Sequence, residues 1–219
     1  MIQVHHLEKS RSSRILWLLE ELGVEYEIKV YHRDPKTYGA PESLKKIHPL
    51  GKSPIITDGN LTIAESGAII EYLIDQYDEA NRLRPLSGQA LIDYRYWLHF
   101  AEGSLMPLLV MRLVLNMAKS KPMPFFIKPI IAKFIAALES LFIAPRLTPQ
   151  LEMIDAYLKQ HQWFAGDKLS GADIQMMLSL QLAQTRCDLS KYANIIAYMS
   201  RCEHLPNWQK AYQREQNLE

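Results

Sequence analysis

Cysteine is scarce in this sequence of 219 residues, which has only Cys187 and Cys202. Their separation matches neither a Cys-x-x-Cys redox pair nor the ligand spacing of a zinc site. We therefore expect no metal site, and we interpret each cysteine as a buried free thiol, which packs like a small apolar side chain.

The sequence also lacks an excess of charge of either sign. Lys and Arg total 25 against 24 Asp and Glu, and no local basic patch stands out along the chain. Nucleic acids and anionic membranes attract proteins through positive fields, so we expect neither as a partner. Hydrophobic residues make up 48% and charged residues 22%, which is the profile of a folded globular protein.

Long uncharged apolar runs are missing as well. The most apolar stretch, 105–145, is interrupted by charged residues and by prolines at 122, 124 and 129. A membrane-spanning helix needs about 18 residues with few or no charges, so we expect no membrane span. The N-terminus lacks a basic segment followed by an apolar one, and we therefore expect a cytoplasmic protein.

The first thirty residues have the pattern of a strand, a helix and a second strand. The segment 2–7 is short and apolar, and 26–31 alternates apolar with polar residues. Between them, apolar residues recur at helical spacing from Arg14 to Leu22, and Gly23 follows where a helix usually ends. A strand–helix–strand unit of this length predicts two parallel neighbouring strands.

Further along, the pattern predicts a short helix over 41–47 and a helix over 65–77. Between them, two very short strands over 55–63 are joined by Asp58-Gly59-Asn60, which is typical of a tight hairpin turn. The order βαβαββα predicts an α/β domain over residues 1–81.

Strand patterns are absent after about Gly88, and the remaining chain, 88–219, is predicted to be an all-α domain. The predicted helices span residues 89–117, 125–141, 149–161, 171–185, 191–202 and 206–213. Ser170 and Asp173 have the spacing of a capping box, in which each side chain bonds the other's backbone, and we assign them a structural role only.

Three motifs carry a resemblance to a known family. They are the order βαβαββα, the turn Gly51–Pro54 with the following segment Ala64–Ile70, and Phe164–Ile174 in the helical part. Together they resemble the cytosolic glutathione S-transferases over essentially the whole chain, and most closely the bacterial and fungal branch that uses a hydroxyl residue near the first strand. The resemblance implies a thioredoxin-like domain that binds glutathione as co-substrate, a helical second domain and a homodimer.

The same resemblance implies the residues that bind glutathione. The Ser53–Pro54 bond is a candidate cis bond, which leaves the backbone of Ser53 free to pair with the cysteinyl part of glutathione. Glu65 would take the ammonium of the γ-glutamyl end and Ser66 its carboxylate, near a helix N-terminus that favours anions. Lys52 would contact the peptide. His48 either assists or is a solvated or core-facing histidine.

The thiolate is the nucleophile, and a hydroxyl after the first strand can stabilise it. The resemblance implies that Ser10 has this role, because it falls where the hydroxyl-using members of the family carry their activating serine, at the helix entrance. Ser12 and Ser13 compete for this role but are better placed as helix caps or solvent-facing residues. Lys9 and Arg11 are further candidates for holding the thiolate or a glutathione carboxylate. No tyrosine or cysteine lies in this loop, which disfavours the branches of the family that use those residues.

The expected activity is conjugation of glutathione to apolar electrophiles. The acceptor site is predicted on the first long helix, which carries Trp97, Phe100, Met106 and Met111. Each of these side chains taken singly is better explained as a core or dimer-contact residue. Two alternatives stay open, namely glutathione-dependent reduction of peroxides or disulfides, and a non-catalytic interaction module built on the same fold. The complete set of glutathione-binding residues argues against the module.

Overall fold

A four-stranded mixed sheet organises the first part of the chain. In the computed structural model, which describes residues 1–8 and 10–218, the strands are β1 (Ile2–Leu7), β2 (Tyr26–Tyr31), β3 (Ile55–Asp58) and β4 (Leu61–Ala64), in the order β2-β1-β3-β4. β1 and β2 are parallel, with Ile2 opposite Tyr26, which confirms the predicted pairing. β3 runs antiparallel to both β1 and β4, so the predicted hairpin is also confirmed.

Three helices accompany the sheet: α1 (Ser13–Leu22), α2 (Glu42–Lys45) and α3 (Ser66–Tyr77). Gly23 ends α1 with a φ of 69°, a left-handed conformation that glycine adopts at little cost. α2 is shorter than the predicted 41–47, because Pro41 has an extended backbone and residues 46–47 form a turn. The element order of this α/β domain is the predicted βαβαββα.

The second part of the chain is helical. Its helices are α4 (Gly88–Phe100), α5 (Met106–Ser120), α6 (Lys128–Leu138), α7 (Ala144–Gln160), α8 (Gly171–Gln184), α9 (Ala193–Glu203) and α10 (Pro206–Gln216). A π-helical segment, Ala101–Leu105, joins α4 to α5, and a second one, Glu139–Ile143, joins α6 to α7. The prediction of a long first helix over 89–117 therefore holds for α4 and α5 together.

The prediction of separate helices over 125–141 and 149–161 is wrong, because the chain stays helical from Lys128 to Gln160 and Pro149 lies inside α7. Proline lacks the N–H that an α-helix uses, so Pro149 leaves the carbonyl of Pro145, four residues earlier, without its helical bond. The π segment before Pro145 shifts the hydrogen-bond register there. The helix begins after Phe125, whose side chain is 84% exposed in a turn.

The helical run Gly88–Ser120 is long and apolar enough to cross a membrane by length and composition alone. In its most apolar window 39% of the residues are buried inside the protein, including Leu98 and Leu109 in the core. Core helices of globular proteins meet the same compositional test, so the finding carries no membrane assignment.

α8 is the central helix, and most of its residues are buried. The predicted capping box is present, with Asp173 accepting bonds from the Ser170 backbone (2.9 Å) and hydroxyl (2.8 Å). Asp173 also accepts from the Phe164 N–H at 2.9 Å and from the Tyr198 hydroxyl at 3.1 Å. Burial raises the pKa of this carboxyl to about 6, although these donors act in the opposite direction.

The two parts of the chain share one hydrophobic core, which runs from Val4 and Ile69 to Tyr94 and Ile174. The Gly171 N–H bonds to the Leu83 carbonyl at 2.9 Å and so ties the start of α8 to the connecting segment. Both cysteines are free; Cys202 is buried and Cys187 is partly buried.

Candidate functional site

A cleft opens between the sheet and the helical part of the chain. Its larger cavity, about 520 Å³, is lined by Ser10, Lys52 and Ser53 on one side and by apolar residues of α5 and α8, among them Met106 and Leu178, on the other. The cleft therefore brings the candidate hydroxyl and the turn before β3 together with an apolar wall, an arrangement suited to a polar substrate beside an apolar one.

A smaller cavity of about 130 Å³ adjoins this one, and both are lined by Arg11, Lys52 and Ser53. All six predicted glutathione-binding residues line it: His48, Lys52, Ser53, Pro54, Glu65 and Ser66. The Nδ1 atom of His48 is buried without a hydrogen-bond partner, which a bound ligand could supply.

The turn before β3 contains the cis peptide bond Ser53–Pro54 that the sequence predicted. The Ser53 hydroxyl donates to the His5 carbonyl at 3.0 Å and accepts from the Leu7 N–H at 3.4 Å, which fixes the turn against β1. Within residues 1–8 and 10–218, no backbone hydrogen bond uses the N–H or carbonyl of Ser53. These groups remain available to an extended peptide.

Glu65 and Ser66 lie at the start of α3. Glu65 is exposed and has a φ of 73°, an unusual conformation for a residue with a side chain and one that is concentrated at functional sites. Ser66 is buried, and its hydroxyl accepts bonds from Arg14 at 3.1 Å and from Gln175 at 3.0 Å. With both acceptor positions filled, its single hydrogen is left to donate to a ligand.

Arg14, on α1, bonds side chains of three other elements, α3, the first π segment and α8. Its Nη1 atom bonds Ser66, and at 2.7 Å each it also bonds Glu102 of the π segment and Gln175 of α8. Burial lowers the pKa of the Arg14 guanidinium to about 10, and the pairing with Glu102 limits this effect. Glu102 also pairs with Arg11 at 3.3 Å. Sequence reasoning missed this network; the available signal was that Arg14 lies one helical turn from Leu18, on the apolar face of α1.

Ser10 belongs to a chain of hydrogen bonds that leads into the interior. Its hydroxyl lies 2.8 Å from that of Ser12, which lies 2.8 Å from Nδ1 of His6. Ser12 and His6 are fully buried, whereas Ser10 is partly exposed at the cavity wall. The chain of hydrogen bonds therefore ends at Ser10, which alone of the three serines borders the cleft.

The two competing serines lie elsewhere than expected. Ser12 is the N-cap residue of α1, but its hydroxyl makes no cap bond and bonds Ser10 and His6 instead. Ser13 donates to Glu215 of α10 at 2.8 Å, so it faces the C-terminal helix rather than solvent. Arg11 lines both cavities, as its candidacy as an anion ligand requires. Lys9 lies outside the described residues.

The predicted acceptor residues separate into two groups. Met106 lines the cavity beside Ser10, and Met111 lines a neighbouring open apolar surface of α5. Trp97 is buried in the core against Tyr157 and Phe164 and lines neither surface. Phe100 borders a different surface, next to Tyr96. Trp97 and Phe100 precede the π segment, and their part of the helix packs into the core.

Among the described residues, 1–8 and 10–218, no group of three or more His, Cys, Asp or Glu side chains could hold a metal ion.

The fold is a thioredoxin-like domain followed by a helical domain, with a cleft between them, and these features define the class of the protein. The models described as the N-terminal and C-terminal domains of glutathione S-transferase match residues 1–75 and 129–206. Glutathione S-transferase 3 of Schizosaccharomyces pombe is 39% identical over 201 residues, covering 91% of this chain and 81% of that protein.

Two further comparisons agree. Glutathione S-transferase 1 of Saccharomyces cerevisiae is 36% identical over 193 residues, covering 85% of this chain and 82% of that protein. The crystal structure of a glutathione S-transferase from Actinobacillus pleuropneumoniae is 34% identical, with a TM-score of 0.79, and the match covers 99% of this chain and 93% of that chain. The chain therefore belongs to the glutathione S-transferase family.

Proposed function

We propose that this protein conjugates glutathione to apolar electrophiles and that the Ser10 hydroxyl stabilises the glutathione thiolate. The observation that carries the proposal is the hydrogen-bond chain from His6 through Ser12 to Ser10, which ends at the cavity wall beside Lys52 and Ser53. The proposal includes glutathione as co-substrate and a cytoplasmic location.

The donor-to-acceptor direction of these hydrogen bonds explains why Ser10 would donate to the glutathione sulfur. If Nδ1 of His6 carries its proton, it donates to Ser12, and the Ser12 hydroxyl then donates to Ser10. Ser10 accepts this bond, and its own hydrogen is free to point toward the sulfur in the cavity. A hydroxyl that already accepts a hydrogen bond is a stronger donor, so the chain favours the thiolate form.

The free energy required is modest. An ordinary thiol pKa of about 8.5 leaves a few per cent thiolate at neutral pH, and lowering it by about two units requires about 2.7 kcal/mol. One hydrogen bond to a charged acceptor contributes about 1.5–3 kcal/mol. The nearby charge of Arg11 and the N-terminus of α1 act in the same direction.

Glutathione itself would occupy the smaller cavity and extend past the Ser53 turn toward Ser10. The Ser66 hydroxyl, held by Arg14 and Gln175, would donate to the γ-glutamyl carboxylate, and Glu65 would accept from the ammonium. The unpaired backbone groups of Ser53 suit the cysteinyl unit. Lys52 and His48 complete this wall.

The test is the ultraviolet absorbance of the thiolate while glutathione is titrated into the wild type, Ser10→Ala and Ser13→Ala near neutral pH. Ser13 is the matched control, because it is the nearby hydroxyl at the start of α1, which donates to Glu215 at 2.8 Å and to the Ser10 carbonyl at 3.4 Å and does not line the cleft. We expect the absorbance in the wild type and Ser13→Ala and its loss in Ser10→Ala, with glutathione binding by calorimetry retained in all three.

Other outcomes would redirect the proposal. Absorbance retained in Ser10→Ala would assign the activation to another donor. Absence of glutathione binding in the wild type would favour the interaction module. Thiolate formation with turnover of cumene hydroperoxide, and none of a chloronitrobenzene, would favour peroxide reduction.

We also infer a homodimer, as the family resemblance implies. Large apolar side chains are exposed on α4 and on the second π segment, including Ile92 (59%) and Leu141 (77%), and a subunit contact would cover such groups. Light scattering coupled to size-exclusion chromatography should give twice the chain mass, and a monomer mass would contradict the inference.

A further inference from the structure

The cavity beside Ser10 has an unusual balance of charge. Among residues 1–8 and 10–218, four cationic side chains line it, Arg11, Arg33, Lys52 and Arg186, and no carboxylate does. The rest of the wall is mainly apolar, formed by residues of α5 such as Val110 and of α8 such as Leu182. An apolar cavity with cationic groups and no acid favours ligands that are both apolar and negatively charged.

Three of the cations already have partners or a role. Arg11 pairs with Glu102 at 3.3 Å. Arg33 donates to the backbone carbonyls of Glu8 (3.1 Å) and Tyr38 (3.0 Å). Lys52 also lines the smaller cavity and is assigned to glutathione above. The charge balance of the cavity therefore depends on Arg186.

Arg186 has no counter-ion in the part of the chain that the structure describes. It is partly buried just beyond the end of α8, and no carboxylate in residues 1–8 and 10–218 lies within ion-pair distance of its guanidinium. Its Nη1 atom is buried without a hydrogen-bond partner. Burial lowers the pKa of the guanidinium, and the charge of Arg11 lowers it further. A buried donor atom without a partner is costly, so a ligand that supplies an anion to Nη1 gains a strong interaction here.

We propose that the acceptor substrate of this enzyme is an amphipathic anion, an electrophile with an apolar body and a carboxylate that binds Arg186. This inference rests on the proposed function, since it specifies the second substrate of the same cavity. The apolar body lies against Met106, Val110 and Leu182, and the electrophilic carbon faces Ser10.

The reaction for an α,β-unsaturated carbonyl acceptor is an addition. The thiolate sulfur forms a bond to the β carbon while the carbon–carbon π bond breaks, and the electron pair at the α carbon takes a proton from water. The thiol proton was released when the thiolate formed, so atoms and charge balance without an oxidant or reductant. The carboxylate takes no part in bond changes and serves only to position the acceptor.

The experiment compares ethacrynic acid, an aryl enone with a carboxylate arm, with its methyl ester. Initial rates of conjugation are measured for the wild type, Arg186→Gln, Arg186→Lys and Arg95→Gln. Arg95→Gln removes the same charge from an exposed position of α4 that lines a different surface. Thermal unfolding and circular dichroism of each variant verify its fold.

We expect Arg186→Gln to lower kcat/KM for the acid by about tenfold or more, the loss of one hydrogen-bonded charge pair. The ester should change by less than about twofold, Arg186→Lys should retain part of the preference for the acid, and Arg95→Gln should behave as the wild type. A second measurement needs no variant: octanoate should inhibit conjugation of the ester by the wild type at lower concentration than octanol does.

Three results would overturn the proposal. Equal losses for acid and ester in Arg186→Gln would make the residue structural. A raised KM for glutathione with unchanged KM for the acid would assign Arg186 to a glutathione carboxylate. Equal inhibition by octanoate and octanol would show that the cavity does not select anions. In each of these cases conjugation of the ester persists, whereas failure of the proposed function would abolish conjugation of both acceptors in the wild type.

Discussion

Replacing Asp173 by Asn should destabilise the protein by about 2–4 kcal/mol. The buried carboxylate accepts four hydrogen bonds, two on each oxygen: Phe164 and Tyr198 donate to Oδ1, and the backbone and hydroxyl of Ser170 donate to Oδ2. The Asn side chain has one oxygen and one NH₂ group, so in either orientation one backbone N–H, of Phe164 or of Ser170, faces a donor, whereas the hydroxyl beside it can turn and accept. The lost bond costs about 1.5–3 kcal/mol, and the bonds that remain are weaker because Asn is neutral.

Part of this loss is recovered. Burial raises the pKa of Asp173 to about 6, which means that the charged form is itself costly in the interior. Neutral Asn avoids this cost, and the net loss therefore falls below the sum of the bonds. The expected destabilisation is larger than the roughly 0.5–2 kcal/mol typical of losing a helix cap.

The assay is urea unfolding at neutral pH, followed by tryptophan fluorescence, since Trp163 and Phe164 pack near Asp173 through Tyr198. Asp167→Asn is the matched control, an exposed aspartate in the same segment. A free energy of unfolding for Asp173→Asn within about 0.5 kcal/mol of the control would refute the argument that these four bonds hold the start of α8.

Three further predictions concern the cleft and its support. Ser12→Ala should raise the pKa of bound glutathione thiol, measured by thiolate absorbance against pH, because Ser10 loses its donor; an unchanged profile would contradict the chain. Arg14→Met should raise the Kd for glutathione about tenfold, measured by calorimetry, because Ser66 loses a charged donor, and an unchanged Kd would assign Arg14 to stability alone. Gly171→Ala should destabilise the protein by about 1–3 kcal/mol in urea, because its Cβ would lie 2.8 Å from Ile70; equal stability would mean that α3 can shift.

The elements of the sheet domain could be predicted because their signals are local. Alternation gave 26–31 as a strand, Gly23 marked the end of α1, and Asp58-Gly59-Asn60 marked the hairpin. The capping box at Ser170 is also a short-range pattern. Each of these depends on residues within a few positions of one another, which a sequence displays directly.

The helix boundaries around Pro149 could not be predicted in the same way. Proline usually ends a helix, and only the π segment before Pro145 and the packing of α7 allow the run to continue. For a related reason the sequence could not decide whether Trp97 and Phe100 belong to an acceptor site or to the core. Apolar side chains on a helix look alike in sequence, and only the tertiary contacts separate core from cavity.

The network around Arg14 lay beyond sequence reasoning because its members are far apart in the chain. Arg14 bonds Gln175, 161 positions away, and Glu102, 88 positions away. No spacing rule connects such residues. A charge on the apolar face of a helix shows that a buried partner must exist, but it does not identify which distant carboxylate or amide fills that role.

The position of Arg11 has a consequence for how the two substrates bind. This side chain borders the smaller cavity, the larger cavity and the open surface of α5, and Glu102, its ion-pair partner, borders the smaller cavity and the open surface. An anion that occupies one space changes the field at the others, so the binding free energies are linked. By thermodynamic reciprocity, whatever factor glutathione applies to the affinity of the acceptor, the acceptor applies to glutathione.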